Sequence, residues 1–131
     1  MIEDITLSLE LPLMSKARPR FTRTGRTYMP EKYRAWRHEC EDLLKGHWLA
    51  FDLPTISSCS AAFSFYGPAR FDLDNLVGAV LDAGLPNKAT GWRGCWRDDR
   101  VSVFPEICAR WHRSRDQRIE LLISVWDYCE T

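Results

Sequence analysis

The residues best suited to chemistry in this chain are aspartates in two clusters, Asp72 with Asp74 and Asp98 with Asp99. The first pair lies in the segment RFDLDNLVGAVLDAG, separated by a single leucine. In extended backbone, residues two apart point to the same side, so both carboxylates would project together where a strand runs out and a helix begins. Unpaired carboxylates that close repel each other, and one tends to hold its proton unless a cation lies between them. Hard divalent ions such as Mg²⁺ take carboxylate oxygens and keep several waters, so two or three aspartates plus a phosphate suffice. A plainer role is also open, with Asp74 as the N-cap of the following helix and Asp72 as a solvated turn residue. Asp98 and Asp99 are adjacent, so on a strand they face opposite ways and only one could join a shared site. Taken alone, such a surface pair is mostly solvated charge.

The cations are concentrated elsewhere. Lys16, Arg18, Arg20, Arg23 and Arg26 fall in a stretch without an acidic residue, followed by Lys32, Arg34 and Arg37. Phe21 and Tyr28 are interleaved with them. By itself such a run is a solvated basic loop. Beside a carboxylate cluster it becomes a cationic approach for a nucleic-acid backbone. Arg70, two residues before Asp72, could clamp a phosphate bidentately. The formal net charge is zero, but a polyanion responds to the local field and not to the average. Nothing in the sequence points to readout of particular bases.

The elements that must position these groups follow from periodicity. Ile5, Leu7, Leu9 and Leu11 alternate with polar residues, which predicts a half-buried strand ended by Pro12. Residues 13–29 are polar and basic, with a turn at Gly25 and a short strand near Thr27 to Met29. Pro30 and Glu31 suit a helix start, and Tyr33, Trp36, Cys40, Leu43 and Leu44 form an apolar stripe, predicting a helix over 31–45. Ile56–Tyr66 reads as a strand punctuated by Gly67-Pro68. Leu76, Ala79, Val80 and Ala83 predict a helix from Asn75 to Ala83, capped by Asp74. Residues 84–98 read as a long loop. Val101 and Val103 begin a further strand toward Trp111, and alternation of Ile119, Leu121, Ile123 and Val125 predicts the last one. The order β, α, β, α, β, β describes an α+β (mixed α/β) fold, with two main helices packed on a mixed sheet.

Composition bounds the remaining possibilities. With 131 residues, one small domain spanning 1–131 is expected, large enough to bury a core without staples. The five cysteines are an odd number and lack a CxxC pair, which argues for free thiols in a reducing compartment. The N-terminus is acidic where a signal peptide would be basic, and no apolar run approaches about 18 residues. A soluble, cytoplasmic protein with no membrane partner is expected. His38, His47 and His112 show no paired ligand spacing. Of the six tryptophans, Trp36 lies on a helical core stripe, and Trp111 and Trp126 are expected to be structural. Trp92 and Trp96 could stack on unpaired bases, pack at a dimer interface or bury over the sheet.

Taken together, Asp72-Leu73-Asp74-Asn75-Leu76, then Ala79, Asp82-Ala83, a glycine-containing loop and Asp98-Asp99 before Val101 resemble the signature of RusA-type crossover-junction resolvases. Lys16, Arg18-Pro19-Arg20-Phe21-Thr22, Gly25, Tyr28-Met29-Pro30 and Lys32 resemble the opening of phage and prophage members. The resemblance spans roughly 16–103. It implies a dimeric RusA-like fold that binds four-way DNA junctions and uses Mg²⁺, with Mn²⁺ as a substitute, to hydrolyse paired phosphodiesters in recombination and repair. It assigns the catalytic and metal-binding roles to Asp72, Asp74 and Asp99, and it implies a bacterial or phage-encoded, nucleoid-associated protein. The DNA would be gripped by Lys16, Arg18, Arg20, Arg23, Arg26, Lys32 and Arg70.

One position departs from the pattern. The RusA-type resolvases that the chain resembles usually carry a lysine one helical turn after the second aspartate, where this chain has Gly78. Glycine in mid-helix costs about 1 kcal/mol relative to alanine, so it is no helix-stabilising choice. Either a cation from the long loop (Lys88, Arg93 or Arg97) enters the gap, or the chain binds junctions without cutting them. A nuclease for flaps or other branched DNA is the third function compatible with these residues.

Overall fold

The computed structural model describes residues 2–130. Its main sheet has four strands: β1 (Glu3–Leu9), β4 (Ile56–Gly67), β5 (Glu106–Arg113) and β6 (Arg118–Tyr128). They lie in the order β1-β6-β4-β5. β6 pairs antiparallel with β1 and β4, placing Leu121 opposite both Leu7 and Phe63. β5 runs parallel to β4, so the chain between them must cross back over the sheet. That crossover contains the helix α2 (Leu73–Ala83) and the long loop. A separate two-stranded hairpin, β2 (Arg20–Phe21) and β3 (Thr27–Tyr28), precedes the helix α1 (Glu31–Ala50). The fold is α+β.

Alternation decides which face is covered. Ile5, Leu7, Leu9, Cys59, Ala61, Phe63, Phe65, Ile119, Leu121, Ile123 and Val125 are all buried on one face. Both helices supply the other half of this core, through Tyr33, Trp36, Cys40, Leu44 and Trp48 of α1 and Leu76, Ala79 and Val80 of α2. The helices are joined where Tyr33 donates a hydrogen bond to Asp82 Oδ2 at 2.8 Å and Arg37 Nε lies 3.6 Å from the same oxygen. Burial and this carboxylate together push the Tyr33 phenol well above its ordinary value. All five cysteines are free thiols, and burial raises those of Cys40 and Cys59 to about 12. No helix among the described residues is long and apolar enough to cross a membrane.

Several boundaries differ from the sequence expectation. α1 continues to Ala50 because Trp48, fully buried, extends the apolar stripe past Gly46. Val101 and Val103 begin no strand; residues 101–103 form a turn, with Val101 83% exposed and Val103 fully buried. β5 starts only after Pro105, whose missing N–H suits the entry to an edge strand. Trp92 and Trp96 are both buried, which removes them as stacking platforms. Trp96 donates to Leu81 O at 2.8 Å and meets Trp48 and Phe104 edge-on. Trp111 and Trp126 are the exposed pair, 36% and 53%.

Candidate active site

α2 begins two residues earlier than its apolar pattern suggested. Its N-cap is Asp72, with φ −85° and ψ 131°, and its first residue is Leu73. Asp72 is therefore the last extended residue and Asp74 already lies in the first helical turn. Asp72 caps with its backbone only: its carbonyl accepts Leu76 N–H at 3.2 Å and no side-chain cap bond forms. Both side chains are exposed, and neither enters a hydrogen bond or ion pair among the described residues. The capping role is thus not what holds these carboxylates. The helix's positive N-terminal end favours negative charge at this spot, and the two acids gather it without using it up.

The second acidic pair divides its roles. Asp98 Oδ1 accepts the N–H groups of Asp99 (2.7 Å) and Arg100 (3.1 Å), while Oδ2 lies 3.2 Å from Arg100 Nε. Desolvation would raise the Asp98 carboxyl, but the backbone N–H of Asp99 and the Arg100 charge outweigh it and hold the group below the usual carboxylate range. Asp98 folds the turn. Asp99 is exposed and its carboxylate pairs with no cation among the described residues. Its loop is fastened to the sheet by Arg97 N–H to Ile56 O (2.9 Å) and Cys59 N–H to Val103 O (2.8 Å), then feeds β5. Ile107 and Ala109 of β5 line a surface hollow together with Leu73, Asp74 and Val77, so the strand leaving Asp99 passes beside Asp74.

The three free aspartates do not close into a compact trio as they stand. Among the described residues, the set of three whose ligand atoms lie within 4.8 Å of one another is His38, Glu41 and Asp42 on α1. Sequence spacing passed over this set because it pairs one histidine with acids at helical intervals. Glu41 is buried and already accepts Asn87 Nδ2 at 2.9 and 3.2 Å, tying the long loop to α1.

The basic residues form an arm. Arg18, Arg20, Arg23 and Arg26 are exposed on and beside the β2–β3 hairpin, with Phe21 and Tyr28 exposed among them. Gly25 makes the turn with φ +82°, a conformation L side chains rarely adopt. Lys32 is exposed at the start of α1, and Arg70 lies over the Phe71 ring at 5.1 Å. Of the loop cations, Arg93 is committed elsewhere, to Leu53 O (2.6 Å) and Thr55 Oγ1 (3.0 Å). Lys88 and Arg97 are exposed and contact none of the three aspartates by hydrogen bond or ion pair. Lys16 lies across α2, its N–H donating to Asn75 O at 2.9 Å and its stem over Gly78.

This combination of unpartnered aspartates, parallel crossover and basic arm coincides with a family match: residues 10–124 fit the family model of the endodeoxyribonuclease RusA. The chain belongs to the RusA endodeoxyribonuclease family. No curated protein matches it. Membership makes the chain a DNA endonuclease by family, and the match covers the arm, both acidic clusters, β4, β5 and β6 as far as Ser124, while β1 lies outside it.

Proposed function

We propose that this RusA-family protein is a divalent-metal-dependent endonuclease that cuts branched DNA, four-way junctions above all, acting as a homodimer in the cytoplasm. The observation that carries the reading is that Asp72, Asp74 and Asp99, at the start of α2 and in the loop that leads to β5, are exposed and paired with no cation among the described residues. Their donor atoms are all carboxylate oxygens, which suits a hard ion such as Mg²⁺ or Mn²⁺. When bound there, such an ion lowers the pKa of a coordinated water and offsets charge on the phosphate. The protein's own part is positioning. Arg18, Arg20, Arg23 and Arg26 hold the DNA backbone, Lys32 extends the basic track, and Arg70 stands two residues from Asp72 to orient a phosphate. A two-fold dimer supplies one site for each of the two strands a junction resolvase must cut.

The test is incubation of the purified protein with labelled four-way junction, flap and duplex, with and without Mg²⁺ or Mn²⁺. Paired cuts in the junction, reduced at least about 100-fold in Asp74→Asn while junction binding is retained, are the expected result. A second reading, a junction binder that does not cut, is favoured by Gly78 alone. Tight binding with no cleavage in either metal would establish that reading and remove the first.

A further inference from the structure

A phosphate brought to three carboxylates needs positive charge beyond an ion, and α2 has none to give. Its residues from Leu73 to Ala83 include no lysine or arginine. The cation must reach the helix from another element, and the geometry points to Lys16.

We propose that Lys16 is the catalytic cation of this site, its amine meeting the scissile phosphate from the position that a helical lysine at 78 would otherwise occupy. The proposal rests on the nuclease reading above. Lys16 is fixed to α2 twice: its backbone N–H donates to Asn75 O at 2.9 Å, and its side chain crosses Gly78. A Cβ built on Gly78 would lie 3.2 Å from Lys16 Cδ and 3.5 Å from its Cβ. Position 78 is one turn beyond Asp74, a rise of about 5–6 Å. The amine stands two bonds past Cδ, on a stem that crosses α2 one turn along from Asp74. It makes no ion pair among the described residues, and the residue is exposed. The charge is therefore available.

The same contact accounts for the glycine. Gly78 has ordinary helical backbone, so no left-handed turn demands it. What its missing side chain provides is clearance for the Lys16 stem. Of the loop cations, Arg93 is occupied at Leu53 and Thr55.

The experiment compares single-turnover cleavage of a four-way junction at saturating protein by wild type, Lys16→Met, Lys16→Arg, Lys16→Ala and the double variant Lys16→Ala with Gly78→Lys. Methionine keeps the stem over Gly78 and removes the charge, and folding is checked by thermal melting. Lys16→Met should lower the cleavage rate about 10²–10³-fold, the usual effect of deleting a charge-stabilising group, with Lys16→Arg retaining part of the activity. The double variant should cut at least tenfold faster than Lys16→Ala, because lysine from the helix then fills the vacated track. If Lys16→Met cuts at the wild-type rate, or loses only DNA affinity, or if Gly78→Lys restores nothing, the proposal is overturned while the nuclease reading stands. If wild type cuts no junction in Mg²⁺ or Mn²⁺, both fall together.

Discussion

Replacing Gly84 by alanine isolates the packing that holds the Asp99 loop. Gly84 closes α2 with φ −89° and ψ −3°, values open to any residue, so alanine meets no backbone barrier. The obstacle is the Trp96 ring: an added Cβ would sit 2.0, 2.3 and 2.6 Å from three of its atoms. Those atoms belong to a fully buried indole wedged against Trp48 and Phe104, so the ring cannot swing aside freely. Overpacking of this kind costs about 1–3 kcal/mol, and a displaced indole also forfeits its bond to Leu81 O, about 1 kcal/mol more. The expected loss is about 2–4 kcal/mol, a large share of a typical domain's stability. Urea unfolding followed by far-UV circular dichroism measures it. Trp96→Phe removes the benzo part of the ring where the contact falls, so the double variant should recover about 1 kcal/mol or more relative to additivity. A loss below about 0.5 kcal/mol for Gly84→Ala, or strict additivity with Trp96→Phe, would refute the packing of Trp96 on Gly84 as what holds this loop.

Other outcomes follow from the division of labour among charges. Asp98→Asn should destabilise at neutral pH but spare most cleavage, whereas Asp99→Asn should abolish cleavage with little change in stability. Because the Asp98 carboxyl is depressed in the folded state, its contribution is present above the ordinary carboxylate range and disappears as pH falls through the folded value. Unfolding curves of wild type and Asp98→Asn should therefore converge in acid, and a gap that widens there would contradict the assignment. Alanine at Arg20, Arg23 and Arg26 together should weaken binding to every DNA form and reduce the slope of log affinity against log salt by up to about 0.9 per lost phosphate contact. An unchanged slope in filter binding would mean that the arm lies off the DNA.

Much of the fold was legible because burial follows simple periods. Alternating apolar residues located β1 and β6, the run of Ser, Ala and aromatic residues at Ile56–Tyr66 located β4, and Pro30 with Glu31 marked the start of α1. The misplaced strand at Val101 shows the limit of that signal. Two β-branched residues look like a strand, but one plugs the core from a turn while the other faces water. The long loop was read correctly as a loop, yet the burial of Trp92 and Trp96 depends on Trp48, Gly84 and Phe104, which no local pattern ties to them. At the start of α2, the apolar pattern put the cap at Asp74, two residues late, because Leu73 is exposed and the buried stripe begins only at Leu76. The seat of Lys16 on Gly78 was invisible for the same reason as the tryptophan cluster: it is a tertiary contact between distant segments.

On the proposed function, the hairpin of β2 and β3 would bear on which DNA shapes this protein tolerates. Its ladder joins only Arg20 to Tyr28 and Phe21 to Thr27, and a ribbon that short is marginal in water without a surface to lie against. If the arm meets branched DNA as proposed, whatever freedom it loses there is subtracted from affinity, and the finger would trade tightness for the capacity to follow grooves that diverge. Stiffening it should sharpen preference for one geometry at the expense of the others.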